Sequence, residues 1–152
     1  AKQFSDEIYV RFEQQQRERA KKQKTPPEPA ALAAAQAALQ AFFNAMTECE
    51  TRYTEFNSDW DKKTIALFRQ YGSEKLPERQ SGEGRFHRCG QPEGTYGDHV
   101  FTDNEKQGRK IWLYTQDSHG FQYRFLMAQE NGEWKLEKAQ QKLEGKWARN
   151  WV

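Results

Sequence analysis

Hydrophobic and polar residues alternate along residues 111–143, and this period of two predicts consecutive antiparallel strands. The clearest feature of the stretch is Asn131-Gly132, which separates two alternating runs. A type I′ hairpin turn needs φ > 0 at both central residues, and Asn and Gly reach that region most easily. The turn then sets a register with defined partners: Glu130 faces Glu133, Gln129 faces Trp134, Met127 faces Leu136, and Phe125 faces Lys138.

This register divides the hairpin into two faces, because side chains alternate across a strand. One face is apolar and is the predicted core wall; it carries Tyr123, Phe125, Met127, Trp134 and Leu136. The opposite face is mostly polar, with Leu126 and Ala128 as its apolar exceptions; its polar members are Gln122, Arg124, Lys135 and Glu137.

Residues 30–56 predict a long α-helix, because they are rich in Ala and their apolar residues recur at helical spacing. The predicted core-facing stripe contains Leu32, Ala35, Leu39, Phe42, Phe43, Met46, Cys49, Tyr53 and Phe56. The opposite, solvated face would carry Glu48, Glu50, Arg52 and Glu55.

A second, shorter helix is predicted after Asn57-Ser58. Asp59 or Asp61 would cap its N-terminus and Gly72 would end it. Its residues facing the first helix would be Ile65, Phe68 and Tyr71.

The remaining segments complete an α+β order of helix, helix, loop and four or five antiparallel strands. Residues 73–95 predict a long surface loop with a short strand near 85–89, and residues 97–105 predict a strand that turns at Gln107-Gly108. In the last residues, Trp147 and Trp151 stand four apart and predict a final helical turn.

Residues 1–29 are predicted to be an extension of a domain that spans 30–152. Phe4, Ile8 and Phe12 share one helical stripe, a polar stretch follows, and the prolines of TPPEP at 25–29 break the helix. Residues 1–24 carry seven Lys and Arg against four Asp and Glu, but acidic residues interrupt the basic ones. We therefore expect neither nucleic-acid nor membrane binding.

Composition places the chain among globular proteins with one core. Only 36% of its 152 residues are hydrophobic, but 14% are aromatic, so the apolar volume sits in few large side chains. Cys49 and Cys89 make no disulfide framework, and no stretch has the apolar length of a membrane span or signal peptide. These features predict a soluble, cytoplasmic protein, and leave monomer or homodimer open.

An ordered series of motifs runs from about residue 41 to the end: FFNAMTECE at 42–50, IALF at 65–68, PE at 92–93, YTQ at 114–116, GF at 120–121, YRF at 123–125, NGEWK at 131–135 and GKW at 145–147. The series resembles the nuclear transport factor 2-like fold immunity proteins, which bacteria encode beside polymorphic toxins. The resemblance implies a cone-shaped roll in which long N-terminal helices pack on a curved antiparallel sheet of four to five strands. It also implies a protein that binds and blocks one cognate toxin domain, without catalysis or a cofactor, and so protects the producing cell and its siblings.

A small-ligand-binding protein or an isomerase- or dehydratase-type enzyme is the alternative on the same fold. Such enzymes place an Asp base and Tyr or Asp acids inside the cone. The available residues are Asp98, Asp103, Tyr114 and Asp117. Asp103 and Asp117 lie near strand ends or turns, where solvated carboxylates are the ordinary expectation, and fold alone does not establish chemistry.

A metal site would have to draw on His87, Cys89, His99 and His119. His-x-Cys is not a usual zinc spacing, so surface histidines and a loop thiol are expected instead, and no metal site is predicted. No glycine-rich phosphate loop occurs either, because the glycines at 82–97 precede no predicted helix.

The toxin-binding surface is expected on exposed polar and aromatic groups in mobile or edge elements. The candidates are Arg85, His87 and Arg88 in the long loop, Tyr96 and Asp98 after it, and Asp117 and His119 in the turn at 117–120. A sheet that curls over the helix would bring loop and turn together in one patch. The candidates carry both charge signs, which suits electrostatic steering to a specific partner.

Overall fold

The computed structural model describes residues 10–11, 13–14, 25–53, 58–76 and 95–148. The helices and strands are α1 (Pro29–Arg52), α2 (Ser58–Tyr71), β1 (Val100–Gln107), β2 (Lys110–Gln116), β3 (Gln122–Glu130), β4 (Glu133–Leu143) and β5 (Lys146–Ala148). The predicted Phe4, Ile8 and Phe12 stripe, the short strand near 85–89 and Trp151 lie outside the described residues.

Helix α1 begins at Pro29, because Pro suits the first helical turn, where its missing N–H is not needed. It ends at Arg52 rather than at Phe56, since Tyr53 is already extended, with φ −98° and ψ 127°. The predicted core stripe is confirmed from Leu32 to Tyr53, with Leu32 and Tyr53 partly buried, whereas Phe56 falls outside the described residues. Its buried members are Ala35, Leu39, Phe42, Phe43, Met46 and Cys49. The predicted exposure of Glu50 is wrong, because its side chain is completely buried.

Helix α2 turns a different face to the core from the one that the sequence predicts. Phe68 is buried and Tyr71 is partly buried, as expected, but Ile65 is not part of the core. The buried positions are Trp60, Thr64, Leu67 and Phe68. Trp60 is one of the largest fully buried side chains, and its burial sets the rotation of the helix.

The five strands form one antiparallel sheet in the order β1-β2-β3-β4-β5. Asn131 and Gly132 have φ of 53° and 82°, so the predicted hairpin turn is confirmed. Three predicted pairs around it are confirmed as well: Glu130 with Glu133, Gln129 with Trp134, and Met127 with Leu136.

The fourth predicted pair is wrong, because a β-bulge shifts the register between Leu126 and Met127. Leu126 pairs with Lys138 and Phe125 with Ala139, which leaves Glu137 as the extra residue. Without the bulge, alternation along β4 would turn Lys138 toward the core. The bulge places Ala139 there instead.

The two ends of the sheet also differ from expectation. Strand β1 begins at Val100 after a turn at 95–98, and the β1–β2 turn lies at Gly108-Arg109. The predicted final helical turn is wrong. Glu144 and Gly145, with φ of 50° and 77°, form a second hairpin turn, and the chain returns as β5.

Both helices pack on one face of the sheet, and the aromatic core lies between the two layers. The predicted α+β class is therefore confirmed. In the part of the chain that the structure describes, no helix combines the length and the apolar character needed to cross a membrane.

Candidate functional site

One end of the sheet gathers three of the seven predicted binding residues at its surface. At this end, β1, β3 and β5 begin and β2 and β4 finish, with the turn at 117–121 and the segment 95–99 beside them. We call it the Asp117 end. Of the predicted residues, Asp98, Asp117 and His119 lie here, whereas Arg85, His87 and Arg88 fall outside the described residues.

The carboxylate of Asp117 organises the turn between β2 and β3. Its Oδ1 accepts the backbone N–H groups of His119 at 3.0 Å and Phe121 at 2.9 Å. Its Oδ2 accepts the hydroxyl of Tyr123 at 2.8 Å. With three donors on one carboxylate, Asp117 holds the turn in shape and leaves His119 exposed at its tip.

Asp98 joins this turn to the segment that precedes β1. Its Oδ2 accepts the backbone N–H of Ser118 at 3.2 Å and the Ser118 hydroxyl at 2.5 Å. Residues twenty positions apart are therefore fixed side by side, and Asp98 and His119 belong to one continuous surface.

Tyr96 departs from its predicted exposure. Only 1% of it is exposed, and its ring lies against Phe42 at 5.4 Å and Phe43 at 5.8 Å between ring centroids. The prediction that Tyr96 belongs to the exposed group is wrong, because the ring fills core space beneath α1.

A buried polar cluster lies behind this surface. Both carboxylate oxygens of Glu50 accept the backbone N–H of Thr95, at 3.0 and 2.9 Å. The Thr95 carbonyl lies 2.9 Å from Nε2 of His99, and a carbonyl only accepts, so Nε2 carries the proton. Nδ1 of His99 then lies 2.8 Å from the Thr115 hydroxyl, which donates to it when the ring is neutral. The cluster anchors the segment before β1 to α1 and β2.

The sequence contains a signal for the burial of both Glu50 and His99, although neither was predicted to be buried. Glu50 follows Met46 by four residues and Phe43 by seven, so it lies on the apolar stripe of α1. His99 precedes Phe101 by two residues, and alternation places both on the core side of the sheet. A charged residue on an apolar stripe indicates a buried partner, here a backbone N–H.

The four residues of the catalytic alternative do not converge inside the core. Tyr114 alternates with the core residues Leu113 and Thr115, so it lies on the opposite face of β2, and Asp103 pairs with it there. The Tyr114 hydroxyl donates to Glu105 Oε2 at 2.8 Å. Burial raises the pKa of Tyr114, and the hydrogen bond to Glu105 adds to that increase.

Of the metal alternative, the structure describes His99 and His119, while His87 and Cys89 fall outside the described residues. His99 uses both ring nitrogens within the fold, and His119 stands on the exposed turn. Among the residues that the structure describes, no three His, Cys, Asp or Glu side chains lie close enough together to hold a metal ion.

The face of the sheet that the helices leave uncovered carries a stacked arginine. The Arg124 guanidinium lies 4.3 Å from the ring centre of Trp112 and 4.6 Å from that of Trp147. Its Nε donates to Gln140 at 2.6 Å. The two indoles and the amide hold this arginine in one orientation and cover the strands beneath it.

These features define a class of protein: an α+β fold of the NTF2 type, with helices on one face of an open antiparallel sheet. The chain belongs to the family described as NTF2 fold immunity protein, whose model matches residues 34–150. The family predicted from the motifs is thus confirmed. No curated protein and no solved structure matches the chain.

Proposed function

We propose that this protein binds a cognate bacterial toxin domain, blocks its activity, and so protects the producing cell and its siblings. The observation that supports the proposal is the family match, which extends over 117 of the 152 residues and covers most of α1, all of α2 and strands β1 to β5. An immunity protein must bind its toxin tightly, but it does not need to catalyse a reaction.

The chemistry at the Asp117 end agrees with binding rather than catalysis. A general base needs a carboxylate oxygen within reach of the substrate proton. Asp117 instead uses both oxygens within the turn, and Asp98 accepts two hydrogen bonds from Ser118. Carboxylates engaged in this way stiffen a surface, and a stiff surface loses less entropy when a partner binds.

The proposed docking surface is the Asp117 end, with Asp98, Ser118 and His119 on it. Arg85, His87 and Arg88 are proposed as further contacts from the segment that precedes it. Tyr96 and Asp117 act from beneath: Tyr96 packs under the segment that carries Asp98, and Asp117 shapes the turn that presents His119.

The negative charge of Asp98 suggests which kind of toxin surface it would contact. A toxin that attacks nucleic acid needs a basic cleft for its substrate, and an acidic residue on the immunity protein would occupy that cleft and speed association. A toxin that binds an anionic nucleotide would be met by Arg85 and Arg88 instead.

The test is co-expression with the open reading frame immediately upstream, which this proposal expects to encode the toxin. Wild-type protein should rescue growth and co-purify with the toxin domain. The charge-reversed pair Asp98→Lys with His119→Glu should lose both properties while its circular dichroism stays that of the wild type.

A matched control reverses two exposed charges at the opposite end of the sheet, Arg109→Glu with Glu133→Lys. This control should protect cells as the wild type does. If the Asp98 and His119 pair protects equally well, the docking surface lies elsewhere, and the uncovered face around Trp147 is the next to examine. If the wild type neither binds nor protects, the immunity function itself is wrong.

A further inference from the structure

Exposed apolar side chains concentrate at the Asp117 end. Among described residues from 25 onward, the large hydrophobic residues that stand exposed are Val100 at 61%, Phe121 at 50% and Leu143 at 48%. Val100 begins β1, Phe121 immediately precedes β3, and Leu143 ends β4. In this antiparallel sheet, all three positions fall at the same end.

The strand register brings two of these residues to the same side of the sheet. The last pair of β3 and β4 at this end is Tyr123 with Gln141. Phe121 and Leu143 follow two positions beyond that pair, so alternation places both on the side of Tyr123. We take this phenyl ring and this isobutyl group as one apolar patch beyond the edge of the core.

Polar and charged groups surround this patch. His119 and the Asp98–Ser118 pair lie beside Phe121, on the turn that Asp117 holds. Lys146 flanks Leu143 as its partner across the β4–β5 pairing, whereas Lys142 lies on the opposite face, with its Nζ 5.7 Å from the centre of the Trp147 ring. Both lysines are exposed.

An apolar centre with a polar rim is the usual anatomy of a protein-binding surface. Half-exposed Phe and Leu side chains keep apolar area in contact with water, and that area adds nothing to the stability of the core. Burying it against a partner would contribute about 25 cal/mol for each Å². A few such anchors supply most of the binding energy in a typical complex.

We propose that Phe121 and Leu143 are the anchor by which this protein seats in an apolar cleft of its toxin domain. Val100 is not part of the anchor, because it pairs with Gln116 next to the inward pair of Phe101 and Thr115 and so lies on the opposite face of the sheet. The cleft would carry a carboxylate opposite Lys146 and a cationic group opposite Asp98. This inference rests on the proposed immunity function and assigns the residues that carry its affinity.

The experiment uses isothermal titration calorimetry to measure the affinity of the full chain for the toxin domain that co-expression with the upstream open reading frame identifies. The double variant Phe121→Ser with Leu143→Ser should bind roughly a hundredfold more weakly, the loss expected for two anchor residues of moderate strength. Its melting temperature should match that of the wild type, because both side chains are already exposed. Val10→Ser, a substitution of a residue that is 57% exposed and precedes the family-matching part, is the matched control and should bind as the wild type does.

The possible results separate the two proposals. If the wild type binds and the double variant binds equally well, the anchor is wrong and the immunity function stands. If the wild type does not bind the toxin domain, both are overturned. Light scattering on the free chain identifies a competing occupant: a dimer that becomes monomeric in the double variant would assign the patch to a second copy of this chain and overturn the toxin anchor.

Discussion

Both carboxylate oxygens of Glu50 accept the single backbone N–H of Thr95, at 3.0 and 2.9 Å, and the Glu50 side chain is completely buried. A buried charge is costly unless hydrogen bonds compensate it. The pair therefore fixes where the segment before β1 meets the last turns of α1. Because Asp98 follows Thr95 by three residues, the same contact positions the proposed docking surface.

Glu50→Ala should destabilise the domain by about 1–3 kcal/mol, the cost of leaving the buried donor of Thr95 without its acceptor. The free energy of unfolding in urea measures this loss. The matched control is Glu48→Ala on the exposed side of the same helix, where an ion pair with Arg52 at 3.4 Å contributes little. Equal stability of the two variants would mean that the Glu50–Thr95 contact does not stabilise the fold.

Asn131→Pro should be severely destabilising, because Pro is held near φ −65° and residue 131 needs a φ of 53°. The expected cost is at least about 1–3 kcal/mol of backbone strain, and it would lower the midpoint of thermal melting. Asn131→Gly is the control, since Gly reaches positive φ without a penalty from Cβ. A proline variant that melts with the wild type would contradict the hairpin register.

Asp117→Ala should loosen the turn at 117–121 by removing the acceptor of three hydrogen bonds. We expect a loss of about 1–3 kcal/mol, together with faster amide hydrogen exchange at His119 and Phe121. Asp103→Ala provides the comparison, because Asp103 is exposed and its carboxylate accepts the N–H of the next residue, Asn104. Unchanged exchange rates at the turn in Asp117→Ala would show that Asp117 does not organise it.

Tyr114 should ionise above its ordinary pKa of about 10, because burial and the hydrogen bond to Glu105 both favour the neutral phenol. Absorbance at the phenolate wavelength, taken as the difference between wild type and Tyr114→Phe, isolates this titration. A group with a raised pKa in the folded state stabilises the protein at pH values below its unfolded pKa, and that contribution disappears as pH rises through the raised value. A Tyr114 transition at or below pH 10 would contradict the assignment.

Some of the candidate surface follows from the sequence and some does not. Asp117 in a short turn ahead of Gly120, and Asp98 before a strand, are local signals, and they place both residues at strand ends. The exposed pair of Phe121 and Leu143 is not a local signal. It depends on the β3–β4 pairing, which ends at Tyr123 and Gln141 and brings two residues that are 22 positions apart in the chain to one end of the sheet.

The sequence by itself determined the features that depend on neighbouring residues. Asn131-Gly132 readily adopts the positive φ angles of a tight hairpin turn, and this turn determines the pairing of the residues next to it. The Ala-rich composition and the helical spacing of the apolar residues determine α1. Tertiary structure decided the rest, because the deciding partner lies far along the chain. The bulge at Glu137 is stabilised by Lys110, whose Nζ lies 2.8 Å from the Glu137 carboxylate, and Glu50 is buried because a backbone N–H 45 residues away meets it. Local sequence patterns determine which backbone conformation a segment prefers and which of its side chains share a face. The burial of a charged side chain becomes favourable only when the folded chain supplies its partner.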